Sequence, residues 1–126
     1  MEEEFGMEIN RKIESEDVLH ELEGSEGVVK KVLVGPEEGS DDIVMRYFKV
    51  LPKGYTIRHK HNYEHLVQIE KGRGIAIDEE GKEYQITVGD SIFLARNEEH
   101  QFKNPYDESL EFICVIPNKD KIPSTN

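Results

Sequence analysis

From residue 28 onward the chain alternates between short apolar runs and turn signals. The run V-V-K-K-V-L-V (28–34) is β-branched and stops at Gly35-Pro36. I-V-M-R-Y-F-K-V (43–50) follows the polar loop E-E-G-S-D-D and is stopped by Pro52 and Gly54. Further strands are predicted over 55–61, 64–70, 74–78, 82–88, 91–94, 100–103 and 110–116. Turns are expected at Lys71-Gly72, Glu79-Glu80-Gly81 and Gly89-Asp90. Many short strands at regular spacing, without a long amphipathic helix, predict an all-β antiparallel sandwich or barrel. No solenoid-length repeat is present. Residues 11–26 offer a thin apolar face (Val18, Leu19, Leu22) behind Ser15 as an N-cap, enough for a short helix or an edge strand.

Length and charge narrow the class. At 126 residues the chain predicts one domain, and a domain of this size buries roughly two-thirds of its unfolded surface. The predicted organisation is an acidic arm over 1–26, a barrel over 27–117 and a polar tail over 118–126. The net charge is −11. Ten acids against two bases lie in the first 26 residues, so the excess concentrates in the arm. Lys and Arg are not clustered, which argues against nucleic acid as a partner. No stretch approaches the ~20 apolar residues of a membrane span. The start M-E-E-E-F-G lacks the basic and apolar regions of a secretory signal. With the lone Cys114, this predicts a cytoplasmic protein.

The chemistry sits in the histidines. His59, His61 and His65 fall in R-H-K-H-N-Y-E-H, and His100 lies in N-E-E-H-Q-F. The fifth, His20, lies in an acidic stretch and reads as a surface residue. On a strand, His59 and His61 present both imidazoles on one face. A straight strand would hold His65 roughly 20 Å from His59, far beyond a shared ion whose nitrogen bonds are about 2 Å. A common metal therefore requires a turn at Asn62-Tyr63 that folds residue 64 onward back beside the first strand. His65, Val67 and Ile69 then share a face, with Glu64, Gln68 and Glu70 opposite. The alternative is four ordinary polar residues on strand surfaces. The H-x-H-x-x-x-H spacing favours metal, since neutral imidazole is so frequent a ligand. Glu64 is either a ligand itself or, given its opposite parity, a surface carboxylate or one that holds a ligating histidine by hydrogen bonding.

The run K-G-Y-T-I-R-H-K-H-N-Y-E-H-L-V-Q-I-E-K-G resembles the first motif of the cupin superfamily. Lys53 stands at the motif's first glycine, His65 at the usual glutamate and Gly72 at the closing glycine. Gly89, His100 and Asn104 match the second motif at its spacing, with Ala95 in place of its proline and Asn97 in place of its second glycine. The resemblance spans about residues 27–117. It implies a double-stranded β-helix, the jelly-roll barrel of cupins. It also implies one divalent transition metal on His59, His61, His65 and His100. The four-histidine pattern is similar to compact single-domain cupins associated with manganese. Iron is expected next, with nickel, copper or zinc as possible occupants. Compact cupins imply a homodimer, with the strand at 28–34 or the segment before it pairing across subunits.

What the site does is less constrained, because one fold hosts many chemistries. Four neutral imidazoles leave the ion's charge uncompensated and open positions for a substrate. Phe102, Phe112 and Cys114 share faces that would line a pocket, or simply fill the core. Arg46 would pair with a substrate carboxylate or with a buried Glu. Tyr47, Tyr55 and Tyr63 are proton-donor candidates that the sequence does not place, so catalytic residues are unassigned. Two classes of function remain. One is a metal-dependent enzyme, a dioxygenase-like oxidoreductase or else an isomerase or lyase, acting on a small organic molecule. The other is a non-catalytic small-ligand or metal-binding protein.

Overall fold

The computed structural model describes residues 6–122. Alternation decides its inner face. Leu110, Phe112, Cys114 and Ile116 on the last strand are buried, as are His65, Val67 and Ile69 earlier in the chain. The strands are β1 (Glu26–Val34), β2 (Ile43–Tyr55), β3 (His65–Lys71), β4 (Arg73–Ile77), β5 (Glu83–Thr87), β6 (Ser91–Leu94), β7 (Gln101–Lys103) and β8 (Leu110–Pro117). They form one antiparallel sheet ordered β5-β4-β7-β2-β8-β3-β6, with β1 on the other side of β2. The sheet curls into a jelly-roll barrel, the all-β fold that the turn spacing predicts. Its core joins Val50, Ile69, Leu110 and Phe112 from β2, β3 and β8.

Two expectations are corrected. First, β2 is not stopped at Pro52. It bends there and continues to Tyr55, while residues 56–61 form no strand. Gly54 makes the bend possible, because a Cβ there would lie 2.5 Å from the Glu26 carbonyl. Buried Asn104 fastens it, its amide donating to the Val50 and Glu108 carbonyls at 2.9 and 2.7 Å. Second, β3 does not fold back on the segment before it. Its hydrogen-bonded neighbours are β6 and β8, the non-local partners that close the barrel.

The arm forms no α-helix after Ser15. A 3-10 turn at Lys12–Glu14 precedes an extended stretch whose Leu19 bridges Val29. His20 N–H donates to the Val28 carbonyl at 2.7 Å. Asp17 pairs with Lys31 and Lys49 at 2.8 and 2.6 Å. Long-range polar contacts to the sheet therefore win over a weak helical face. The edge of β1 offered for pairing across subunits is covered at this point by the chain's own arm. Residues 1–5 of the arm and 123–126 of the tail lie outside the described residues. Among the described residues no helix is long and apolar enough to cross a membrane.

Candidate metal centre

The histidines are brought together by an irregular segment, not by a strand. Residues 56–61 run beside 97–102. The Thr56 N–H donates to the Phe102 carbonyl at 2.9 Å, and the Phe102 N–H donates to Thr56 Oγ1 at 2.9 Å. His59 and His100 exchange both backbone hydrogen bonds, at 3.2 and 3.0 Å. The Asn97 N–H donates to the His61 carbonyl at 2.6 Å. A bend at Asn62-Tyr63, where the sequence predicts a turn, then delivers His65 to the start of β3.

The result is a compact imidazole cluster. One ligand atom each from His59, His61 and His100 lies within 4.8 Å of the others. His65 stands beside this trio, its ring centred 5.1 Å from those of His61 and His100. The Glu98 carbonyl, 3.0 Å from His100 Nδ1, is positioned to accept its proton, which would leave Nε2 free to bind a metal. Nδ1 of His61 and of His65 are buried without a hydrogen-bond partner. Buried polar atoms seldom go unpaired, and an ion at the cluster would explain the set. Burial pushes all four imidazoles below their ordinary value, His65 to about 3 and His61 to about 4. The Arg46 guanidinium adds to the fall at each. All four are therefore neutral at pH 7, the form that coordinates metals. These donors fit a divalent transition ion.

Glu64 is exposed, whereas His65 next to it is buried. Of the three tyrosines, Tyr47 is buried elsewhere and donates to Glu111 Oε1 at 2.8 Å. Tyr55 is exposed. Tyr63 alone reaches the site, stacked on His61 and His65 with ring centres 4.9 and 5.1 Å away.

The cluster opens into a cavity of about 500 Å³. Phe102, Phe112, Cys114 and Arg46 all line it. Phe112 packs against Phe48 and Phe102 at 5.2 and 4.8 Å. Arg46 donates to Cys114 Sγ at 3.1 Å and lies over the Phe48 ring. Burial raises the Cys114 thiol above its ordinary value, which makes it a poor nucleophile. Lys30 and His20 also line the cavity. Lys30 enters from β1, and its parity with Val28 and Val32 was the available signal. His20 is exposed, as expected, but at the cavity's edge and not on open surface.

Comparison with known proteins agrees with this geometry. Residues 46–116, more than half the chain, match the cupin domain family. The chain is a cupin. The 1-methylthio-D-xylulose 5-phosphate methylsulfurylase of Rhodospirillum rubrum is 36% identical over 73 residues, covering 57% of this cupin and 46% of that protein. The shared region thus spans less than half of the relative's length. The oxalate-binding protein of Thermotoga maritima is 28% identical over 119 residues, covering 92% of this cupin and 98% of that protein. The polyketide cyclase RemF of Streptomyces resistomycificus superposes with a TM-score of 0.82 at 24% identity, over 89% of this chain and 80% of that one. At that identity the likeness concerns the fold.

Proposed function

We propose that this cupin holds one divalent transition metal on His59, His61 and His100, with His65 as fourth ligand, and acts on a small organic molecule bound in the adjoining cavity. The observation that carries the reading is the pair of orphaned, buried nitrogens on His61 and His65 beside a trio already within mutual reach of an ion. Manganese is the favoured occupant and iron the next, as the resemblance to compact four-histidine cupins implies; imidazole alone discriminates weakly, so supply decides. A bound ion would supply Lewis-acid or redox chemistry at open coordination positions. The chain's own part is to keep four imidazoles neutral, to exclude water with apolar walls and to hold Tyr63 against two of the rings.

The reaction favoured is an oxidation of the dioxygenase type. An isomerase or lyase, or a non-catalytic binder, is the second reading; a relative named for binding oxalate keeps ligand capture in view. Homodimer assembly belongs to the same proposal. It is supported by an outward apolar row in register across neighbouring strands, Phe93–Leu66–Val115–Met45, with Phe93 57% and Leu66 56% exposed. Sedimentation that finds a monomer at micromolar concentration would remove that part.

Elemental analysis of untagged protein is expected to find close to one transition metal per chain. His65→Ala should lose most of it, and Glu64→Ala almost none. Metal-free protein with an intact fold defeats the proposal. The reverse ranking of the two variants transfers the fourth position to Glu64. Oxygen- or peroxide-dependent turnover of phenols and diketones by manganese- and iron-loaded protein separates enzyme from binder.

A further inference from the structure

Beyond the imidazole cluster the cavity is lined by three cations, Lys30, Arg46 and Lys119, and, among the described residues, by a single carboxylate, Asp120. On the inward face of the β1–β2 pair, Lys30 stands across from Phe48, and Arg46 across from Val32. The two charges are therefore diagonal neighbours on adjacent strands, close enough for long side chains to meet one small group. Neither has a carboxylate within ion-pair distance among the described residues, although acids outnumber bases 27 to 16 in the chain. The cavity's acidic lining residue among those described is Asp120, in the 3-10 turn after β8. Arg46 Nε is buried without a hydrogen-bond partner. Burial, then the neighbouring Arg46 and Lys119, lower the Lys30 ammonium from its ordinary value. Two like charges held together in an apolar wall are costly unless an anion joins them.

We infer that Lys30 and Arg46 form an anion subsite distinct from the metal centre, and that the ligand is an amphiphilic monocarboxylate with an aromatic body. The inference rests on the small-molecule reading of the cavity but not on the metal. Three observations set the ligand's class. The subsite offers two cations, one of them a planar guanidinium fixed over Phe48, which suits the two oxygens of a carboxylate. The neighbouring surface is the packed ring series Phe48, Phe112 and Phe102, which suits an aromatic ring. Finally, Arg46 is in register with Cys114, and Cys114 with Val67, two residues from His65 on the same face. The backbones that carry Arg46 and His65 are thus two strand spacings apart across the sheet and two residues apart along it, roughly 12 Å. A two-carbon dicarboxylate would leave most of the 500 Å³ empty, whereas a ring bearing a short acid chain spans it.

Calorimetric titration with 3-phenylpropanoate and its neutral counterpart 3-phenylpropan-1-ol tests this, on full-length protein before and after EDTA stripping. The metal content of each sample is measured alongside. The acid should bind at least tenfold tighter than the alcohol, the scale of about one charged hydrogen bond, with or without metal. Lys30→Met and Arg46→Met should each bring the acid towards the alcohol's affinity and leave the alcohol's own unchanged. Equal binding of acid and alcohol by the unaltered protein, or a preference that survives both substitutions, overturns the assignment. So does a preference that disappears with the metal, since the carboxylate would then sit on the ion. Protein that never holds metal but retains the preference would sink the metal reading and leave this one standing.

Discussion

Two residues show how a motif can change in sequence and persist in conformation. Lys53 and Asn97 stand where the cupin motifs carry glycine, and among the described residues they are the non-glycines with positive φ, at 71° and 64°. Left-handed backbone is accessible to glycine without penalty and costs other L-residues on the order of 1–2 kcal/mol. Asn tolerates it better than Lys. Lys53→Gly is therefore expected to stabilise the fold by about 1 kcal/mol, read as a higher urea midpoint at unchanged slope. Lys53→Ala, which keeps the strain, should give no gain, and Asn97→Gly should be close to neutral. Gly72 is the opposite case. At φ 78° a Cβ would stand 2.2 Å from the Ser109 carbonyl, so Gly72→Ala should cost on the order of 3 kcal/mol. At this scale the cavity lining was partly legible, because residue type and spacing are local properties. The histidines and their pocket neighbours Phe102, Phe112, Cys114 and Arg46 could all be named in advance. What spacing could not say was which tyrosine enters the site or that Lys30 does, since both depend on how strands far apart in the chain are registered.

At the scale of elements, periodicity found the strands and misjudged what joins them. Residues 56–61 have the composition of a strand, yet their backbone groups are taken up by Phe102, Gln101, His100 and Asn97, contacts that no local pattern encodes. The same competition decides the arm, where Asp17 lies between Lys31 and Lys49. Hydrogen bonds to those two ammonium groups hold the Asp17 carboxyl at about 2, below its ordinary value of 3.8. A carboxyl depressed in this way contributes above its unfolded pKa and stops contributing as pH falls through the folded one. The clasp should thus be whole above about pH 4 and lost towards pH 2. Because Asp17 is part-exposed, the effect should be local and weakened by salt. Hydrogen exchange of the His20 amide, which is bonded to Val28, is the readout. Its protection should fall in acid, and Asp17→Asn should reduce it at neutral pH. Protection unchanged in Asp17→Asn would show that backbone pairing alone holds the arm.

Across the whole molecule, the histidines tie together parts of the chain that meet only when the barrel is closed. His59 and His61 come from the segment after β2, His65 from the start of β3, and His100 from the approach to β7. An unfolded chain can bring together the first three loosely and the fourth only across a loop of some forty residues, so an ion should bind the folded state far more tightly. Ligand that binds only the folded chain at a thousandfold its Kd stabilises by about 4 kcal/mol, which for a domain of this size means a rise in Tm of about 15 °C. Manganese added to EDTA-stripped protein should produce a shift of that order, and renewed chelation should reverse it. His100→Ala should abolish the shift, because it removes the proposed ligand that spans the closure. A shift of equal size in His100→Ala would mean that the ion bridges only neighbouring residues, and the cluster would then not fasten the barrel. No shift in the unaltered protein would mean that four neutral imidazoles, two buried and two half-buried, face one another for packing alone. That outcome would leave the two unpaired Nδ1 atoms without any physical compensation.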